Sequence, residues 1–287
     1  MSSFAQPDGS EVVFEVEGRG PLVVLVHGLG SSRRRWDRQV PALVSAGFTV
    51  ARLDLRGFGD SKSGVLRHGM SEFVSDVRGF IEQLSARPRD AEGDRRDVGG
   101  ERQRPRLHLV GHSLGGMICQ LIALELGERL ASLALVATTS HNGARATAFA
   151  ELMTRLAERG FDGVWGDGEQ RRLAEPVLAA AFPGLSHPPI EMLRKGLEKP
   201  DQSLANAWRA CKTFSVKDRL VELRCPVLVT HGTNDPLIPY RAGELIHEAI
   251  PGSRFFAEAG AGHSLPSSRA ESFNVNLLAH LRDAESG

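Results

Sequence analysis

The sequence predicts an α/β fold, a mostly parallel sheet with helices on both faces. Two observations carry that expectation. Short apolar runs such as Leu22-Val23-Val24-Leu25-Val26 read as strands buried on both faces, and they alternate with stretches of helical periodicity. Polar and glycine-rich clusters fall just after these runs, at the strand ends where parallel sheets gather their chemistry.

The elements follow in order. Val12 to Val16 reads as an early strand, closed by Gly18-Arg19-Gly20, and Leu22 to Val26 as the next. Helical spacing from about Arg35 to Ala46 leads to a strand at Thr49 to Leu53. Met70 to Leu84 places Phe73, Val74, Val77, Phe80, Ile81 and Leu84 on one helical side. A strand at Leu107 to Val110 precedes a helical pattern from Met117 to Leu126, and Leu130 to Ala137 is another buried strand. Pro226 to Thr230 and Arg254 to Ala257 are late strands, followed by helical patterns at about Arg241 to Ile250 and Ser268 to Leu281.

Two stretches interrupt the alternation. Arg87 to Arg106 holds seven arginines and five acidic residues in twenty positions, so it reads as a mobile surface loop. From about His141 to Leu220 there are helical patterns, among them Ala148 to Arg159, Arg171 to Ala181 and Ile190 to Leu197, and no convincing strand. An insertion of this kind would form a helical cap. Its apolar residues include Phe149, Met153, Phe161, Trp165, Phe182, Trp208 and Phe214, most of which must pack the cap itself. The expected organisation is a core at 1–138, a cap at 139–221 and the rest of the core at 222–287.

Lys+Arg and Asp+Glu balance at 35 each, so nothing global favours nucleic acid or an anionic membrane. No segment approaches the roughly 18 uninterrupted apolar residues of a membrane span. Met1 to Ser10 lacks a basic region followed by an apolar one, which leads to the expectation of a cytoplasmic protein. Cys119, Cys211 and Cys225 have no metal-ligand spacing and read as reduced packing residues.

Gly111-His112-Ser113-Leu114-Gly115 sits at a strand-to-helix joint. A G-x-S-x-G there pushes the serine hydroxyl above the sheet edge, beside free N–H groups at a helix start. Ser113 is therefore a candidate nucleophile. A serine hydroxyl needs a base, usually a histidine held by a carboxylate. Asp235 follows a buried strand in Thr230-His231-Gly232-Thr233-Asn234-Asp235, and His263 follows the last strand in Gly260-Ala261-Gly262-His263. The loop after Leu130 to Ala137 offers no carboxylate as a rival. Acyl transfer also needs two oxyanion donors. The N–H of Leu114 would supply one, and the loop His27-Gly28-Leu29-Gly30 the other, through Leu29. Ser31 and Ser32 have a plainer reading as helix caps. Trp36, His112 and Trp165 are further candidates for substrate contact.

With these pieces assembled, the chain resembles the α/β-hydrolase superfamily over nearly its whole length. His27-Gly28-Leu29-Gly30 followed by Trp36 is similar to that family's oxyanion loop, and Asp54-Leu55-Arg56-Gly57-Phe58-Gly59-Asp60-Ser61 to its turn after the following strand. In that turn Asp54 and Arg56 are expected to make local bonds. Lys212 to Val229 resembles the return from cap to core. The resemblance implies an eight-stranded type of sheet and a serine-nucleophile branch, since related dehalogenases and epoxide hydrolases carry aspartate where this chain has Ser113. The meta-cleavage C–C hydrolases commonly have a tryptophan shortly after the histidine, whereas Ser264-Leu265-Pro266 follows here. Small carboxylesterases, enol-lactonases and cofactor-free haloperoxidases remain as neighbours. The expectation is a hydrolase of a small, apolar carboxylic ester or lactone that uses no metal or other cofactor. Other readings are a slow-turnover ligand receptor, a C–C hydrolase or perhydrolase with the same parts, and a scaffold acting through the arginine-rich loop.

Overall fold

The computed structural model describes residues 2–86, 106–181 and 190–286. Apart from Arg106, the charged stretch at 87–106 lies outside them, as does Phe182. The strands are β1 (Ser2–Ala5), β2 (Glu11–Glu17), β3 (Leu22–Val26), β4 (Thr49–Leu53), β5 (Leu107–His112), β6 (Leu130–Val136), β7 (Val227–Gly232) and β8 (Arg254–Glu258). They form one sheet in the order β1-β2-β4-β3-β5-β6-β7-β8. β2 pairs antiparallel with β1 and β4, and the remaining pairs are parallel. The α/β expectation therefore holds. β1 was not foreseen: its residues are largely exposed, so it carries no apolar signal and exists through its pairing with β2.

Helices α1 (Val40–Ser45), α2 (Met70–Ala86), α3 (Leu114–Leu126), α9 (Tyr240–Ala249), α10 (Leu265–Ser268) and α11 (Ala270–Ser286) accompany the sheet. Between β6 and β7 lie α4 (Ala144–Arg159), α5 (Phe161–Trp165), α6 (Gly168–Ala181), α7 (Ile190–Gly196) and α8 (Gln202–Lys212). The helix expected over Arg35 to Ala46 is split into a 3-10 turn at Arg33–Trp36 and α1. Pro41 explains the break: with no N–H to donate, it starts a helix more readily than it sits inside one. Ser32 precedes the 3-10 turn but makes no side-chain cap bond.

The central strands sort their side chains by the twofold period of a strand. Leu22, Val24 and Val26 of β3 face one apolar cluster with Phe73, Val77, Phe80 and Ile118, while Val23 and Leu25 face a second with Phe273, Leu277 and Leu281. Both faces are thus covered, as continuous apolar runs require. A third cluster lies within the insertion, built on Leu152, Met153, Leu156, Phe161, Val164 and Leu178. Phe149, Trp165 and Trp208 pack against it, whereas Phe214 belongs to the sheet core. Leu204 of α8 packs on both, so α8 is where insertion and sheet meet.

All three cysteines are free thiols. Burial raises their thiols, Cys211 to about 12 and Cys225 to about 11, which suits packing residues. Among the described residues no helix is long and apolar enough to cross a membrane.

The turn after β4 is pinned by buried ions rather than by local bonds alone. Asp54 accepts from the backbone of Asp60, but also from the backbone and guanidinium of Arg33. Arg56 forks onto Asp76 of α2 through two bonds of 2.6 Å and donates a third to Asp8. Arg56 and Asp76 are 2% and 0% exposed, so neither charge can turn to water if its partner is lost. Arg56→Met should therefore destabilise the fold by about 3 kcal/mol. Denaturant unfolding at neutral pH measures this, and a loss under about 1 kcal/mol would be the cost of a surface pair instead.

Candidate functional site

Ser113 lies between β5 and α3, as the residue that caps α3, with φ 55° and ψ −119°. This is a left-handed conformation that a residue with a Cβ adopts only when its surroundings enforce it. The enforcement is visible. The Ser113 N–H donates to Val136 O, and Ser113 O accepts from Gly116 N, Met117 N and the Thr138 hydroxyl, all within 2.8–3.2 Å. A Cβ on Gly111 would lie 2.4 Å from Gly115 O, and one on Gly115 would lie 2.2 Å from Val26 O. Only glycines let strand, turn and helix approach so closely.

The loop after β3 lies against this elbow. A Cβ on Gly28 would fall 2.9 Å from the Ser113 Cβ. His27 sets the loop's course: its Nε2 accepts from Leu55 N at 2.9 Å, so Nδ1 carries the proton and donates to Gly28 O at 2.7 Å. Within the described residues the amides of Leu29 and Leu114 make no hydrogen bond.

Asp235 and His263 stand on the loops after β7 and β8, and these loops are stitched together. Asn234 N donates to Ala261 O at 2.9 Å, and Gly260 N donates to the Thr233 hydroxyl at 2.8 Å. His263 Nδ1–H then donates to Asp235 Oδ2 at 2.8 Å. The other carboxylate oxygen accepts from Leu237 N and Ile238 N, at 2.9 and 3.0 Å. The Asp235 side chain is fully buried, and the His263 side chain is 15% exposed. Burial alone would raise the Asp235 carboxyl, but the bonds from His231, His263 and the Ile238 amide hold it well below the usual range.

His112 connects these loops to the elbow. It directly precedes Ser113, its Nε2–H donates to His263 O at 2.9 Å, and the two rings lie 4.9 Å apart. Burial holds it at about 3, so the ring is neutral at physiological pH. The ring is 2% exposed, with its donor spent on the main chain of His263. Trp36 is fully buried in the second core cluster. Trp165 stacks on Phe161 within the insertion, at a ring separation of 5.2 Å.

Thr138 and His231 were not singled out by the sequence. Thr138 reaches Ser113 across 25 positions, from one strand end to the next. His231, near the end of β7, precedes Asp235 by four residues, a spacing that by itself signals nothing outside a helix.

A model of the alpha/beta hydrolase family matches residues 23–274. The chain is 29% identical to a pimeloyl-[acyl-carrier protein] methyl ester esterase of Aeromonas hydrophila, over 92% of this chain and 96% of that protein. Its structure is similar to that of a thermophilic esterase from Thermogutta terrifontis, with TM-score 0.71 and 27% identity over 98% and 97% of the two chains. The enol-lactonase from Burkholderia xenovorans LB400 shares the fold, with TM-score 0.68 and 24% identity over 98% and 100%.

Burial also sets an acid limit on the fold. His27, His68, His108 and His280 are lowered from 6.5 to about 4, and His112 to about 3, in each case chiefly by burial. Each folded value lies below the unfolded one, so the stability they protect is complete above pH 6.5 and is lost as pH falls toward 4. Each contributes up to about 1.4 kcal/mol per pH unit in that window. Cooperative acid unfolding between about pH 6 and 4 is expected by circular dichroism, and a native spectrum at pH 4 would contradict it.

Proposed function

Because the chain belongs to the alpha/beta hydrolase family, we propose that it is a serine hydrolase of small, apolar carboxylic esters or lactones. The reading rests above all on the 2.8 Å bond from His263 Nδ1 to Asp235 Oδ2, on loops tied by His112 to the Ser113 elbow. That bond fixes the tautomer: with the proton on Nδ1, His263 Nε2 is left with a lone pair for a serine proton.

The steps follow from these parts. Ser113 Oγ attacks the ester carbonyl carbon as His263 Nε2 takes its proton. The carbonyl oxygen, now an oxyanion, is held by the N–H groups of Leu29 and Leu114. On collapse, His263 gives the proton to the departing alkoxide and leaves an acyl group on Ser113. His263 then draws a proton from water, which attacks the acyl carbon and frees the acid and the serine. Asp235 stays ionised throughout and stabilises the imidazolium. The methyl ester esterase and the thermophilic esterase among its relatives support an ester substrate.

Purified protein assayed with short-chain aryl esters and lactones tests this. Ser113→Ala should lower kcat by about 10⁴-fold or more while the protein remains folded. Treatment of the wild type with a phosphonate inhibitor should leave one adduct, on the peptide containing Ser113. Undiminished turnover by the alanine variant would sink the proposal. A single burst without steady turnover would favour the ligand-receptor reading.

A further inference from the structure

β7 spends a fully buried position on a histidine, after the apolar Val227, Leu228 and Val229 and the buried Thr230. The His231 ring has two distinct ends. Among the described residues its Nδ1 has no hydrogen-bond partner, and a Cβ on Gly243 of α9 would lie 2.7 Å from it. A leucine or phenylalanine would fill the space without stranding a polar atom there. Two positions, His231 and the glycine that makes room for it, therefore serve the opposite end of the ring.

At that end Nε2 lies 3.0 Å from Ile238 O and 3.4 Å from Asp235 Oδ2. A backbone carbonyl and a carboxylate are both acceptors, so Nε2 must carry the proton. One N–H thus points between the loop's main chain and the carboxylate oxygen that also accepts from His263. At 3.4 Å the second contact is an electrostatic one, beside the hydrogen bond to Ile238 O.

We propose that His231 is a positioning residue for the reaction above: its N–H shares the negative charge of Asp235 Oδ2 and so restrains how strongly that carboxylate holds a proton on His263. This rests on the reading of Ser113, His263 and Asp235 as one relay. Asp235 Oδ2 is divided between two imidazoles, one that cycles its proton and one that keeps it. With the His231 donor removed, the carboxylate's charge acts on His263 alone, the imidazolium gains stability, and the base becomes available only at higher pH. His112 of β5 lies ring to ring with His263, and Arg35 of the 33–36 turn, whose guanidinium reaches Ser267, acts on His112. Tyr240 faces His231 edge-on at 6.2 Å. None of these is altered by changing His231.

The test uses the pH dependence of kcat/KM for an ester that the wild type turns over. His231→Phe keeps the bulk and removes the donor, and its acid limb should move up by about half a pH unit. His231→Gln places an amide N–H near the same point and should restore the limb. Loss of melting temperature with an unmoved limb in His231→Phe would mean packing alone and overturn the proposal, as would a limb that the glutamine variant does not restore. Should the phenylalanine variant fail to fold, 15N–1H correlation spectra of the wild-type imidazoles decide. A proton on His231 Nε2 supports the assignment, and the Nδ1–H tautomer refutes it. Ser113→Ala is the control: if that variant keeps its turnover, the underlying relay has failed rather than the role of His231.

Discussion

Ser113 holds a backbone conformation costing on the order of 1–3 kcal/mol, and the site's geometry depends on the contacts that enforce it. Four hydrogen bonds converge on its own N–H and C=O, from or to β6, the turn after β6 and the first turn of α3. The Ser113 hydroxyl makes no cap bond to α3. Ala137, the other non-glycine residue at positive φ among the described residues, lies at the end of the adjacent β6. Its N–H donates to Thr230 O, and Thr138 then turns its hydroxyl onto the Ser113 carbonyl. The two strained residues thus form one unit at neighbouring strand ends, anchored by a sheet buried on both faces.

From that unit the constraint passes outward through histidines whose protons are fixed. His27 links the loop after β3 to Leu55, His112 links the elbow to the main chain of His263, and Asp235 receives His263. Each link joins a segment that is distant in sequence, and each uses a ring nitrogen whose partner dictates its proton. A neutral imidazole suits such a link, because it donates at one end without bringing a charge into a buried place. The same choice makes the fold sensitive to acid, since the rings of His27 and His112 are hidden from protons only while the protein is folded.

What the sequence disclosed and what it hid differ in kind. The candidate residues Ser113, Asp235 and His263 stand out because each lies in a glycine-marked loop just after an apolar run, and strand ends are where an open parallel sheet exposes side chains. The parallel core was legible because burial on both faces leaves uninterrupted apolar runs. Contacts between segments left no such mark. Nothing about Trp36 in the sequence distinguishes a ring over a pocket from one packed under β3, and only the turn into α1 decides it. Arg33 looks like one of three consecutive surface arginines until it is found at 2% exposure against Asp54. β1 was invisible because its edge position leaves its residues largely exposed.

The insertion is not uniform in its relation to the site. Most of its apolar residues close upon one another, so α4, α5 and α6 form a core of their own. α8 is different: it contributes Ala207, Ala210 and Cys211 to the sheet core. Its first turn also meets two turns of the sheet through glycines. A Cβ on Gly57 would run into the Ser203 side chain at 2.4 Å, and one on Gly30 would touch Leu204 at 3.6 Å. Gly30 directly follows Leu29, so the start of α8 rests on the loop that offers the candidate oxyanion donor. Asn206, one turn further, donates to Leu66 O and meets His68, which fixes the helix against the segment before α2. α8 is thus the part of the insertion that packs with the sheet, and its start bears on the loop that carries Leu29.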